Sequence, residues 1–90
     1  MDVTEFELIS KALADPYRVK IMEAVKKERD WFQCGAVMEM FELAQSTVSH
    51  HIKQLIEARL LIAERDGRTT RFRVNHQAFQ EYVDYLKRFL

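Results

Sequence analysis

Apolar residues recur at helical spacing along most of the chain, and this pattern predicts five helices. The pair Asp15-Pro16 marks one helix start clearly, because Asp caps a free backbone N–H and Pro fits the first helical position. Residues 28–34 are predicted to be a connection, in which Trp31 and Phe32 cover the edge of the core. The predicted helices span residues 3–13, 16–27, 35–43, 45–59 and 76–90.

The helix predicted over residues 45–59 has two contrasting faces. One face is apolar and predicts contact with the core: Val48, Ile52, Leu55 and Ile56. The opposite face carries six polar side chains: Ser46, Thr47, Ser49, His50, Lys53 and Gln54. Because only one of these six carries a fixed charge, the face differs from an ordinary solvated one and favours a base-reading helix of the helix-turn-helix type. The alternative is that these are only capping and first-turn residues.

After Ala58 the periodicity becomes extended, which predicts a β-hairpin, or wing, over residues 61–74. Residues 61–65 and 68–74 flank Asp66-Gly67, a pair typical of a two-residue turn. In this pairing Arg65 faces Arg68, and like charges in opposite positions repel each other. Four arginines without compensating acids therefore suggest an anionic partner such as DNA phosphate, although a solubilising edge strand is the alternative. The four are Arg65, Arg68, Arg71 and Arg73.

Charge is distributed unevenly along the chain, although its net value is zero. Residues 1–43 carry six Lys/Arg against nine Asp/Glu, whereas residues 44–75 carry six against three. The excess positive charge therefore coincides with the predicted helix-turn-helix and wing, where it can contact phosphates of double-stranded DNA.

Composition narrows the class of protein further. Ninety residues predict a single domain, 1–90, and the absence of an apolar run or a signal peptide predicts no membrane contact and a cytoplasmic protein. One cysteine, Cys34, excludes an internal disulfide framework and a zinc finger. With two glycines and no nucleophile beside a base, we expect neither an enzyme nor a cofactor.

The two terminal helices predict self-association. The last helix has an apolar face that one small domain would have trouble covering together with the face of the first helix. We therefore expect a homodimer, the alternative being that both helices pack only on their own core. The predicted interface residues are Phe6, Ile9, Tyr82, Leu86 and Phe89.

Three stretches in this order resemble the ArsR family of bacterial winged-helix repressors: Ala14–Arg18, Gln45–Leu55 and Arg65–Val74. The resemblance covers nearly the whole chain and implies a mainly α fold with a small β-hairpin, in the order α-α-α-α-β-β-α. It also implies a homodimer that binds an imperfect inverted repeat near its own promoter and blocks transcription. By residue, it implies DNA contact from Gln45, Ser46, Thr47, Ser49, His50 and Lys53, and wing contact with the backbone or minor groove from Arg65, Arg68 and Arg71.

The chain departs from this family at the positions that bind metal. Metal-sensing members commonly have a Cys-x-Cys pair before the recognition helix, and here Gln33 and Gly35 stand on either side of Cys34. Members with the other common site have Asp and His at the start of the last helix and His near its end, and here His76, Ala78 and Phe89 occupy those positions. We therefore expect no metal at either site.

Two further departures lie at the ends of the recognition helix. Ala44 replaces a frequent Ser cap, and Arg59 replaces the usual Gly after the helix, where a left-handed backbone would strain it.

The sequence does not identify a signal, such as a ligand or an oxidant, that would regulate DNA binding. Cys34 is either a redox switch or a small buried hydrophobe. A small organic ligand could bind where Trp31, Phe32, Tyr82, Tyr85 and Phe89 gather, or there is no effector. The rival function is a winged-helix protein interaction module.

Overall fold

The computed structural model, which describes residues 1–90, contains five helices and one small three-stranded antiparallel sheet. The helices are α1 (Val3–Leu13), α2 (Pro16–Lys27), α3 (Cys34–Glu39), α4 (Gln45–Glu57) and α5 (His76–Leu86), and a 3-10 turn follows at Lys87–Phe89. The strands are β1 (Phe32–Gln33), β2 (Leu61–Asp66) and β3 (Thr69–Val74), in the order β1-β3-β2. None of the helices is both long enough and apolar enough to cross a membrane.

Local capping chemistry explains where three of the helices begin. Asp15 accepts hydrogen bonds from the backbone N–H groups of Tyr17 at 2.8 Å and Arg18 at 3.3 Å, which confirms the predicted start of α2. Asp2 caps α1 and Asn75 caps α5 in the same way. By contrast, Ala44 forms no side-chain hydrogen bond at the start of α4, because its methyl group cannot accept one.

Residues 28–34 were predicted to be a simple connection, but residues 32–33 form strand β1, so the prediction was wrong for these two residues. Phe32 pairs with Phe72 and Gln33 pairs with Arg71 of β3. A two-residue strand has no periodicity of its own, and it forms here because the outer edge of β3 offers free backbone groups. The third helix is also shorter than predicted, since it begins at Cys34 and ends at Glu39.

The hairpin forms as predicted, but its register differs by one residue at the turn. Asp66 pairs with Thr69 and Arg65 pairs with Thr70, so the loop residues are Gly67 and Arg68. The predicted opposition of Arg65 and Arg68 was therefore wrong. Of the two loop residues only Gly67 has a positive φ, +64°, as a type II′ turn requires at its first central position. The Thr69 hydroxyl donates to the Asp66 carbonyl at 2.9 Å and closes the turn.

One cluster of thirteen buried apolar residues forms the core and takes residues from α1, α2, α3, α4 and both hairpin strands. Ile9 is only 2% exposed within this cluster, which corrects its assignment to the dimer interface. Ile56 is 36% exposed, so its assignment to the core face of α4 was also wrong. His51 is buried on the inner face of α4, beside Val48, Ile52 and Leu55.

Helix α4 ends in a Schellman arrangement with an unusual residue at its left-handed position. The Leu60 N–H donates to the Leu55 carbonyl at 3.0 Å, and the Arg59 N–H donates to the Ile56 carbonyl at 2.9 Å. Arg59 has φ +64° and is the only residue other than glycine with a positive φ. The left-handed backbone on which the expected strain at Arg59 depends is therefore confirmed.

We expect Arg59→Gly to stabilise the protein by about 0.5–1 kcal/mol, because removal of the Cβ relieves the left-handed strain and outweighs the greater freedom of glycine in the unfolded chain. Urea unfolding of both proteins measures the difference as a shift of the midpoint. Arg59→Ala is the matched control, since it removes the same exposed side chain but keeps a Cβ. A midpoint for Arg59→Gly at or below that of the parent would contradict this account.

Candidate nucleic-acid interface

The outer face of α4 presents polar side chains to solvent. All six residues predicted to contact DNA from this helix are exposed: Gln45, Ser46, Thr47, Ser49, His50 and Lys53. The Lys53 ammonium lies 3.9 Å from the Glu57 carboxylate, in an exposed pair that contributes little to stability. The first two turns therefore offer hydroxyl, amide and imidazole groups without any ion pair between them. Such groups can read base edges in a major groove.

A partly buried polar contact joins the inner face of α4 to α2. The Arg18 guanidinium lies 3.2 Å from His51 Nδ1, with Nη1 as the nearer atom. Because a guanidinium only donates, Nδ1 accepts this bond, and the proton of the neutral imidazole is on Nε2. The same guanidinium donates through Nε to the Ala12 carbonyl at 2.6 Å and through Nη2 to the Lys11 carbonyl at 3.2 Å. One side chain therefore joins the end of α1, the start of α2 and the middle of α4.

Asp15 completes this polar group from the start of α2. Its carboxylate lies 4.0 Å from His51 Nδ1. Burial raises the pKa of Asp15, but the backbone hydrogen bonds from Arg18 and Tyr17 and the nearby His51 and Arg18 side chains lower it, and the net pKa is below the usual value. The charged carboxylate is thus the form that the folded protein favours.

An aromatic contact anchors the turn before α4 to the same end of α2. The Tyr17 ring is stacked on His51 with centroids 5.6 Å apart and meets Phe41 edge-on at 5.2 Å. Phe41 lies in the connection between α3 and α4, so α2 contacts both the helix and the turn that precedes it. This group was not predicted from the sequence, although His51 occupies an inner helical position between Val48 and Leu55, which indicates that its side chain faces the core.

The wing has fewer free arginines than the sequence suggested. Arg71 pairs with Glu64, its cross-strand partner, and its Nη1 lies 3.6 Å from Asp66. Its Nε is buried without a hydrogen-bond partner, and its side chain is only 27% exposed. The expectation that the four arginines lack compensating acids was therefore wrong for Arg71. Arg65 and Arg68, near and in the turn, are exposed and form no ion pair.

Trp31 forms the outer layer of the sheet at the base of the wing. The guanidinium carbons of Arg71 and Arg73 lie 4.8 Å and 4.9 Å from the centre of its ring. These distances allow cation–π attraction. Trp31 therefore covers the base of the wing. It has no ring contact with Tyr82, Tyr85 or Phe89, so the predicted site for a small organic ligand among these residues was wrong for Trp31.

Helices α1 and α5 share an aromatic cluster and leave apolar side chains in solvent. Phe6 is stacked with Tyr82 at 5.1 Å and with Tyr85 at 4.3 Å, and the Tyr82 hydroxyl lies 2.9 Å from the Ser10 hydroxyl. Phe6 and Tyr82 are half-buried by these contacts. The exposed apolar residues of the two helices and the chain end are Val3, Leu8, Val83, Leu86, Phe89 and Leu90.

Cys34 is the first residue of α3 and is half-buried against the core. Its possible redox role stays a prediction. No three side chains among the His, Cys, Asp and Glu residues lie together in a metal-binding group.

Comparisons with known proteins agree with this architecture. The sequence profile described as "Bacterial regulatory protein, arsR family" matches residues 15–63. The Arsenical resistance operon repressor of Staphylococcus xylosus is 31% identical, and the match covers 96% of this chain and 77% of that protein.

Two solved structures share the fold. An ArsR-like transcriptional regulator from Rhodococcus sp. RHA1 has a TM-score of 0.81 at 19% identity, with 96% of this chain and 79% of that one covered. The homodimeric winged helix-turn-helix DNA-binding domain from Mycobacterium bovis, solved by NMR, has a TM-score of 0.76 at 18% identity, with coverage of 90% and 74%. The profile match, which spans more than half of the chain, and the Staphylococcus relative together show that the chain belongs to the arsR family of bacterial regulatory proteins.

Proposed function

We propose that this protein is a sequence-specific DNA-binding transcriptional repressor that acts as a homodimer. The observation that carries the proposal is the exposed polar face of α4, whose inner face is held by the core and by Arg18. In this arrangement α4 lies in the major groove and reads bases through its first two turns. The name of the Staphylococcus xylosus relative, a repressor, supports the direction of regulation.

The wing contributes contacts with the DNA backbone in this proposal. Arg65 and Arg68 are free to meet phosphates, whereas Arg71 is held by Glu64 and Asp66 and acts mainly within the wing. Phosphate contacts provide affinity without sequence information, so the wing adds binding strength and α4 adds specificity.

Dimerisation follows from the exposed apolar residues of the terminal helices. Leu86 is 40% exposed and Phe89 is 72% exposed, which is costly in a chain of this size unless another surface covers them. The homodimeric domain from Mycobacterium bovis supports this arrangement. Two copies place two recognition helices on one duplex, so an inverted repeat is the expected operator. A single buried cluster supports the view that residues 1–90 form one domain.

We expect His50→Ala to weaken binding to the operator by about 5- to 150-fold, the range for one lost base contact, and to affect random DNA much less. Fluorescence anisotropy on DNA from upstream of the gene and on scrambled DNA measures both affinities. His76→Ala is the matched control, because His76 is also exposed but lies at the start of α5. Equal losses on both DNAs would show that His50 does not read bases, and no binding at low salt would favour a protein-interaction module.

Arg68→Ala should weaken binding to both DNAs and reduce the slope of log affinity against log salt by about one, because one phosphate contact is lost. Arg88→Ala, which removes an exposed arginine near the chain end, should leave that slope unchanged. If both variants keep the parental slope, the wing does not contact phosphate.

Leu86→Glu should convert the dimer to a monomer in sedimentation velocity, because it places a charge in the proposed apolar interface. Ile56→Glu alters an apolar side chain of similar exposure outside the terminal helices and should stay dimeric. A dimeric Leu86→Glu protein would contradict the proposed interface.

A further inference from the structure

A cavity of about 680 Å³ lies between the end of α2, the loop that follows it, the base of the hairpin and the start of α5. This volume is within the range of small-molecule sites. Part of its wall is apolar, with Val25, Ile62 and Val74, and the Trp31 ring adds an aromatic surface. The cavity is separate from the polar face of α4 and from the exposed apolar residues of α1 and α5.

Four cationic and two acidic side chains line this cavity. The cations are Lys26, Lys27, Arg29 and Arg73, and the acids are Glu28 and Asp30. None of the four belongs to any of the ion pairs in the protein. Unpaired cations around a partly apolar cavity favour an anionic occupant, since charge-assisted hydrogen bonds to carboxylate or phosphate are among the strongest available.

The position of Lys26 and Lys27 has a simpler explanation, because positive charge near the end of a helix stabilises that helix. That explanation does not extend to Arg73, which lies on β3 with its guanidinium over the Trp31 ring. The stacked ring restricts the Arg73 side chain before any ligand binds, and restriction of this kind lowers the entropic cost of binding.

We infer that this cavity is a binding site for a small organic anion with a flat apolar body, such as an aromatic carboxylate or a phosphate monoester. The apolar body lies against Trp31, Ile62 and Val74, and the anionic group is bound by the lysines and Arg73. This anion binds in the absence of DNA. A failure to bind it would therefore leave the proposed repressor function unaffected.

Trp31 is the only tryptophan in the chain, so its indole N–H gives a single resonance that reports on this cavity. The test titrates the full chain with benzoate and with phenyl phosphate at constant ionic strength, and uses benzamide as the neutral counterpart of benzoate. We expect a saturable shift of the Trp31 resonance with a dissociation constant of about 1 mM or tighter for at least one anion, and none for benzamide.

The double variant Lys26→Gln, Lys27→Gln should weaken that binding about tenfold, because two cationic donors are lost while Trp31 and Arg73 remain. Lys20→Gln is the matched control, since Lys20 is exposed on the same helix but does not line the cavity.

Four results would overturn the inference. The first is the absence of a saturable shift with either anion below about 10 mM. The second is equal binding of benzoate and benzamide. The third is an equal loss of binding in the double variant and the control. The fourth is a response of Trp31 to duplex DNA but to neither anion, which would assign the four cations to the nucleic-acid interface.

Discussion

The contact between Arg18 and His51 is the constraint on which the position of the recognition helix depends. Arg18 binds carbonyls at the end of α1, extends from the first turn of α2 and donates to an imidazole on the buried face of α4. Because His51 is buried and its contact with Arg18 is partly buried, loss of the guanidinium would leave the imidazole nitrogen without this donor, at a cost of about 1 kcal/mol. The outer face of α4 is therefore oriented by a polar contact on its inner face.

This constraint compensates for weak signals at both ends of α4. Ala44 provides no cap at the start, and Arg59 adopts a conformation suited to glycine at the end. Local propensity alone would leave these ends poorly defined. Burial of Val48, Ile52 and Leu55, together with the His51 contact, holds the helix over Gln45–Glu57, because packing normally outweighs the terms of about 1 kcal/mol at helix ends.

The wing divides its arginines between structure and surface. Arg71 and Arg73 lie on one face of β3 and stack on Trp31, and Arg71 also pairs with two acids of β2. These contacts join Trp31, the residue before β1, to the hairpin, and β1 leads directly into α3. Arg65 and Arg68 remain free at the far end. A hairpin with a fixed base and a charged tip suits backbone contact, and the base also forms one wall of the cavity beside α2.

The sequence by itself determined the five helices, the hairpin and the exposed face of α4. These features depend on residues close together in the chain, through helix periodicity, capping at Asp15 and the turn around Gly67. The tertiary structure alone decided whatever depends on partners distant in the chain. Strand β1 exists only because β3 has a free edge, and Ile9 is buried because α1 packs on the core. Arg71 is held because the hairpin register places Glu64 opposite it. His51 is a structural contact because α2 brings Arg18 to it, and the spacing along one helix carries no information about that approach.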